Sequence, residues 1–378
     1  MNIQKRLLIL GGYGNTGFLI ARFLLQESDV QLVLAGRNLN RAQQVADQLN
    51  HQFSGDRVSA QQLDASHLKS LEAGFEAIDM VVVASSTIHY TRNIVTTALK
   101  VGIDYLDVQL SSPDKLAVLN ALQEDIKQQA RCFITDGGVH AGIPATMVRY
   151  VSTQFDSLEV ANISAAFQLN WKELPFSDAT TAEFIDELMN FNPLVLKEKQ
   201  WIKQSFNESL RVDFGQPFGQ RYCLPMFLEE LRSLPNTIPS LTEVGFYISG
   251  FNGMTDYIIM PIAFAALKIF QQRAQKPMNK LFRWGLTEFS HPPFGAIIQL
   301  EARGVKDKQP TSMRLRLTHD NAYVLTAISA VACLLQYLNG SIRCSGMWFQ
   351  SHLVEPQPFF EDIKRLGVDI KCQTTGCI

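Results

Sequence analysis

The sequence predicts a doubly wound α/β domain followed by an α+β domain, and three observations carry that reading. Short apolar runs alternate with helix-length amphipathic segments over the first 150 residues, a glycine-rich turn follows the first run directly, and the alternation stops after Tyr150. A chain of 378 residues also exceeds what one hydrophobic core usually supports, so two domains are expected from length alone.

Taken in order, residues 6–11 (RLLILG), 31–36 (QLVLAG), 58–63 and 79–84 (DMVVVA) read as the first four strands, and 105–108 and 132–135 as the next two. The apolar segment 18–25 reads as the first helix, and 113–129 has the length of a crossover helix. Its start is marked by Pro113 after Ser111 and Ser112, since proline is tolerated in the first turn and serine caps it. Further on, 158–171 reads as a long strand and 179–190 as a helix, whereas 193–242 shows little periodicity. Segments 295–303 and 312–318 read as paired strands around the polar turn 304–310, with a helix from Asn321 behind them. The predicted domains are therefore 1–150, 151–320 and a C-terminal helical segment 321–378.

Composition narrows the function classes. With 46% hydrophobic and 19% charged residues the chain is globular rather than disordered. A net charge of −2 and a pI near 6.4 provide no broad basic field for a nucleic-acid backbone. The six cysteines form no CxxC pair and lack histidines at metal-like spacing, so no metal site is expected and the cysteines read as thiols. Because the first strand begins within the opening residues, no signal segment is expected ahead of it, and the predicted location is the cytoplasm.

Two stretches deserve separate readings. Residues 321–342 are uncharged, nearly long enough to span a bilayer, but Gln336, Asn339 and Gly340 punctuate the run, which favours a buried helix. Lys268, Arg273, Lys276, Lys280 and Arg283 lie in a stretch free of Asp and Glu, beside Phe270, Leu281, Phe282 and Trp284. That composition fits a solvated face or a peripheral contact with anionic lipid.

The chemistry-bearing motif is Gly11-Gly12-Tyr13-Gly14-Asn15-Thr16-Gly17, placed between strand one and an apolar helix. In a Rossmann domain this placement sets a dinucleotide pyrophosphate against the helix N-terminus, where unpaired N–H groups and the positive dipole end meet it. Gly12 serves the tight turn, Gly14 the approach of the pyrophosphate, and Gly17 the contact of helix with sheet. Strand two ends in Ala35-Gly36-Arg37-Asn38, without the Asp or Glu that would bond the ribose 2′-OH of NAD. Arg37 is suited instead to the 2′-phosphate of NADP(H), which is the expected cofactor. Asp64 and Ala65, ending strand three, are placed near the adenine, and Ala84 and Ser85, ending strand four, near the pyrophosphate and nicotinamide ribose.

GGYGNTG, LAGRN after strand two, YLDV of strand five and Thr135-Asp136-Gly137-Gly138-Val139-His140-Ala141-Gly142-Ile143-Pro144 together resemble the saccharopine dehydrogenase-like NADP-binding family, most clearly over residues 1–150. A weaker likeness returns at His319-Asp320-Asn321-Ala322-Tyr323 and over 346–367. The resemblance implies a Rossmann doubly wound parallel sheet with an inserted α+β substrate domain, the C-terminal segment returning to the Rossmann domain. It also implies hydride transfer from NADPH to a C=N bond or, as in relatives described as trans-acting enoyl reductases, a C=C bond. Two positions depart from the family pattern. No Gly-Glu pair follows strand five, where Asp107-Val108-Gln109-Leu110-Ser111 stands, and Ala141 replaces a proline. Both count against an amino-acid substrate.

Within this frame His140, just after strand six, is the candidate proton donor, because a histidine titrates near neutrality. Asp136 and Asp107, at neighbouring strand ends, are candidates to orient it or a substrate amine; a helix-capping role explains Asp136 equally well. Trp171, Lys172, Arg221 and Tyr222 are the candidate substrate contacts in the second domain. No tyrosine is followed four residues later by lysine, which weakens a short-chain carbonyl reductase reading. The alternative is a nucleotide-sensing protein resembling the NmrA-like group, without turnover. The expected partners are a small-molecule or lipid-like substrate and a second copy of the chain in a homodimer.

Overall fold

The computed structural model describes residues 4–173, 181, 185, 191–205, 208–270 and 272–376. They form two compact units, Met1–Thr146 with Tyr323–Gly367, and Met147–Ala322 with Val368–Ile378. Residues 147–322 of the second unit are therefore inserted in the chain of the first, and 368–378 follow it.

The first unit is built on β1 (Arg6–Leu10), β2 (Gln31–Gly36), β3 (Val58–Gln62), β4 (Met80–Val83), β5 (Asp104–Asp107) and β6 (Cys132–Thr135). A further strand from late in the chain, Gly346–Phe349 (β15 in chain order), pairs parallel with β6. Among the described residues the sheet is parallel throughout, in the order β15-β6-β5-β4-β1-β2-β3. All of Leu7–Leu10 and Met80–Val83 is buried, as central strands covered on both faces require. Each such Leu or Val contributes about 1.5–3 kcal/mol by leaving water. Strand order reverses between β1 and β4, which places the ligand crevice of a doubly wound sheet at their carboxyl ends.

The helices of this unit are α1 (Asn15–Glu27), α2 (Leu39–Gln52), α3 (Leu68–Gly74), α4 (Thr91–Val101), α5 (Pro113–Ala121) and α6 (Gln123–Gln128), with α7 (Pro144–Ser152) at its boundary. The expected crossover helix 113–129 is two helices, because Leu122 leaves helical geometry at φ −102°, ψ 1°. Ser112 caps α5 by accepting the Lys115 N–H, with Pro113 in the first turn.

The second unit holds β7 (Ser157–Gln168), β8 (Leu194–Lys197), β9 (Gln200–Lys203), β10 (Leu210–Asp213), β11 (Gln220–Pro225), β12 (Glu243–Ser249), β13 (Gly295–Lys306), β14 (Gln309–His319) and β16 (Asp369–Gly376). Its mixed sheet runs β10-β11-β12-β7-β13-β14-β16, with β8 joining β12 and β9 joining β8. The hairpin β13–β14 turns on Asp307 and Lys308, both at positive φ, which matches the right-handed strand twist. The weakly periodic stretch 193–242 contains four of these strands, each too short to show a clear alternation, and the short α8 (Leu234–Thr237). Most of the expected helix 179–190 lies outside the described residues; Thr181 and Ile185 are buried.

Two late elements differ from the sequence reading, and a third, the apolar run, is the buried helix it expected. β15 extends the parallel sheet beyond the six strands anticipated. β16 belongs to the second unit rather than with the rest of 321–378, because it pairs with the open edge of β14 from Thr311↔Gly376 to Thr318↔Asp369. The apolar run is one helix, Ala322–Asn339, most of it buried. Its Ser329 hydroxyl donates to the Gly138 carbonyl at 2.7 Å and its Tyr337 hydroxyl to Asp104 at 2.6 Å, so the helix belongs to the core of the first unit.

Candidate coenzyme site

At the carboxyl end of β1, the Gly11 N–H donates to Ala35 O at 2.8 Å and the Gly14 N–H returns to Gly11 O at 2.9 Å, folding the chain into a tight loop before α1. Gly17 sits so close beneath this loop that a Cβ there would lie 2.2 Å from the Gly11 carbonyl oxygen. Any side chain at 17 would push the first turn of α1 off the loop. Gly14 occupies the N-cap position, where a Cβ would meet only the Gly11 carbonyl within 4 Å. No side chain caps α1 and no acidic residue stands in its first turn, so the positive end of the helix faces the loop unneutralised. Asn15 is exposed, Thr16 is half-buried, and the Asn15 side chain hydrogen-bonds Tyr323.

At the carboxyl end of β2, Tyr13 packs against Gly36, where a Cβ would meet its ring at 2.6 Å. The Tyr13 hydroxyl accepts the Asn38 N–H at 3.1 Å, and the Arg41 guanidinium lies 5.1 Å from the ring centroid. Asn38 in turn caps α2 by accepting the Arg41 N–H. Arg37 and Arg41 are both exposed here. Two cations thus stand where the sequence motif supplied one, and the signal for the second was the tyrosine inside the glycine loop.

The neighbouring strand ends complete the rim. Asp64 accepts from both the N–H and the hydroxyl of Ser66, which hold its carboxyl below the usual carboxylate value. Ala65 beside it is buried. Ala84 and Ser85 are half-buried after β4, and the Gln109 amide donates to the Ser85 carbonyl at 2.8 Å, tying the loop after β5 to the loop after β4.

Asp107 and Asp136 do not line an open crevice. Lys115, fully buried, reaches Asp107 at 2.8 Å and Asp136 at 3.0 Å, and donates its third proton to the Gln109 carbonyl at 2.5 Å. Asp107 also accepts from the Tyr105 and Thr135 hydroxyls, both at 2.8 Å, and from the Gln109 N–H at 3.0 Å. Asp136 accepts from the Ser111 hydroxyl at 2.6 Å. Both carboxylates are almost without solvent exposure, and the cluster joins the ends of β5 and β6 to the start of α5. Asp136 is not a helix cap; it sits at φ +57° in this network. Burial works against the Lys115 ammonium, but the two facing carboxylates outweigh it and hold its pKa above the ordinary value. Burial, moderated by Lys115 and reinforced by Asp107, raises Asp136. The sequence did hold a signal for this lysine, since a cation in the first turn of a helix opposes the dipole and calls for compensation.

The loop after β6 folds back tightly, with Gly142 at φ +115° and a Cβ there only 2.5 Å from the Asp136 carbonyl. His140 on this loop is half-buried, and burial lowers its pKa to about 4. The ring is therefore neutral at pH 7, and the near-neutral titration expected of it as an acid does not hold.

The substrate candidates of the second unit differ in burial and partners. Trp171 is buried in a core cluster with Ile185, Ile259, Phe282 and Leu286, where packing accounts for it. Arg221, on β11, is half-buried and engaged, donating to the Phe218 carbonyl at 3.1 Å and to the Gln168 side chain at 2.9 Å. Tyr222 and Lys172 are exposed.

Residues 7–139 match the family model of the saccharopine dehydrogenase NADP binding domain. No curated protein matches the chain significantly. Among solved structures, apo histidine-tagged saccharopine dehydrogenase (L-Glu forming) from Saccharomyces cerevisiae is similar with a TM-score of 0.68 at 14% identity, covering 98% of this chain and 100% of that one. At that identity the likeness concerns the fold. A myo-inositol dehydrogenase from Corynebacterium glutamicum matches more loosely, with a TM-score of 0.46 at 13% identity over the whole of both chains.

Proposed function

We propose that this chain is an NADPH-dependent oxidoreductase that delivers hydride to a C=N or C=C bond of a small or lipid-like substrate. The observation that carries the reading is the pairing of an uncapped helix N-terminus at a glycine loop with Arg37 and Arg41 after β2, a strand that itself ends without a carboxylate, the nearby Asp64 belonging to the end of β3. The match of residues 7–139 to an NADP-binding domain model supports the same coenzyme.

The donor set fits that group. The N–H groups opening α1 would bind the pyrophosphate, with Gly14 leaving it room. Arg37 and Arg41 would hold a 2′-phosphate by charge-assisted hydrogen bonds. Asp64 and Ala65 at the end of β3, and Ala84 and Ser85 at the end of β4, the latter held by Gln109, would flank the bound dinucleotide. A bound nicotinamide coenzyme supplies the hydride; the chain's own task is to orient the acceptor carbon and exclude water. His140, neutral at pH 7, serves there as a hydrogen-bonding group rather than as an imidazolium acid.

Arg37→Asp is expected to weaken NADPH binding more than about tenfold, on the order of 1.4 kcal/mol, while sparing NADH, as read by calorimetry. Stopped-flow oxidation of bound NADPH by a panel of imines and enoyl thioesters then identifies the acceptor class. Binding of neither coenzyme, or equal loss of both in the variant, overturns the coenzyme assignment. Tight NADPH binding without oxidation by any acceptor overturns the enzymatic one.

A further inference from the structure

Between β12 and β13 the second unit carries a helical pair that the coenzyme reading does not use. A π-helical turn, Thr255–Ile259, runs into α9 (Met260–Phe270), and α10 (Gln272–Glu288) follows. One side of the pair is core. Thr255, Ile259 and Ala263 are buried on the first helix, and Phe282, Gly285 and Leu286 on the second, with a Cβ at Gly285 falling 2.3 Å from Ile259.

The opposite side is apolar and exposed. Ile258, Ile262 and Ile269 are 50%, 50% and 70% exposed, and with the exposed Ala265 they recur at spacings of four, three and four, a single helical stripe. Tyr257 and Phe270 extend it at either end. From Tyr257 to Leu267 the sequence contains no charged residue, so this stretch is apolar on its solvent side as well as its core side, and the exposed Lys268 is the one charge on α9. On α10 most of the exposed residues are charged, with Pro277 and Trp284 exposed among them. Arg273, Lys276 and Lys280 recur at spacings of three and four, again one stripe, and no Asp or Glu occurs between Asp256 and Glu288.

We propose that this face docks the protein on an anionic lipid surface, with the isoleucine stripe of α9 entering the headgroup–acyl boundary and the cationic stripe of α10 meeting lipid phosphates. Water is a poor solvent for a helix face made of isoleucine and phenylalanine, and contiguous exposed apolar patches mark interaction surfaces. The eleven residues of α9 span about 16 Å at 1.5 Å per residue, roughly half a bilayer core, so the segment lies on the membrane and does not cross it. The charge argues for lipid over a second copy of the chain. A two-fold contact through this face would set one cationic stripe against its like, whereas an anionic bilayer offers apolar and negative layers side by side. The proposal stands apart from the oxidoreductase reading.

The test is flotation of the full chain, without coenzyme, on vesicles of phosphatidylcholine alone or with about 30% phosphatidylserine. Flotation is expected on the anionic vesicles only and is expected to be lost at high salt. I269D/F270D and K276E/K280E are each expected to cut the bound fraction by about tenfold or more, with thermal melting unchanged because all four positions are exposed or at the surface. Failure of the wild-type chain to float, equal flotation on neutral vesicles, or undiminished flotation of either variant overturns the proposal. So does a concentration-dependent dimer in light scattering that I269D/F270D abolishes, which would assign the face to self-association.

Discussion

His140 shows how a residue of the right type in the right place is altered by its surroundings. An ordinary histidine titrates near 6.5, but burial on the loop after β6 lowers this one to about 4. The unfolded chain therefore takes up a proton between those two values while the folded chain does not. Stability is fully present above pH 6.5, falls as the pH drops through that window, and has lost this contribution below about 4. The loss is on the order of 3 kcal/mol from the size of the shift. Urea unfolding at pH 7.5 and pH 5 is expected to show the decline, and His140→Asn to flatten it; an unchanged slope in the variant would assign the acid sensitivity elsewhere. Arg37, by contrast, stays at the surface. It is exposed beside Asn38, and Arg41 stands with it because Tyr13 reaches from the glycine loop to the end of β2.

At the scale of elements, strand ends are joined by charge as well as by packing. Lys115 of α5 uses all three of its protons on Asp107 of β5, Asp136 just after β6 and the Gln109 carbonyl. Gln109 then links to Ser85 after β4. One buried ammonium thus fixes the relative positions of three successive loops at the carboxyl edge of the sheet. Lys115→Met leaves two carboxylates buried without their counter-ion, a change that costs about 3–5 kcal/mol when a buried pair loses one partner. Calorimetric melting is expected to show a large loss of stability for K115M and a much smaller one for Lys100→Met, whose Glu72 pair is solvent-exposed. Equal effects would mean that the cluster is not what holds the loops. The buried carboxylates were legible as residues at strand ends but not as a cluster, because their partner sits eight residues beyond Asp107 and twenty-one before Asp136.

For the whole molecule, the chain order and the units do not coincide. The first unit is completed by 323–367, and the last strand goes to the second unit, where it covers β14 over eight paired positions. Deleting 368–378 is expected to lower the melting transition of the second unit and expose an edge strand prone to aggregation, while NADPH binding to the first unit persists. Scanning calorimetry with and without coenzyme separates these effects; loss of coenzyme binding in the truncated chain would contradict the division.

The sequence by itself determined the six strands 6–135, the glycine loop and the arginine after β2, because a parallel sheet buried on both faces writes continuous apolar runs and a phosphate loop must be made of small residues at fixed spacing. Local signals of that kind survive without knowledge of partners. Only the tertiary structure decided that Asp107 and Asp136 are buried beside Lys115, that Trp171 is core, that β15 extends the first sheet, and that β16 pairs with β14. Burial and strand pairing depend on which distant segments meet, and a carboxylate or a tryptophan reads the same in the chain whether it faces solvent, substrate or the core.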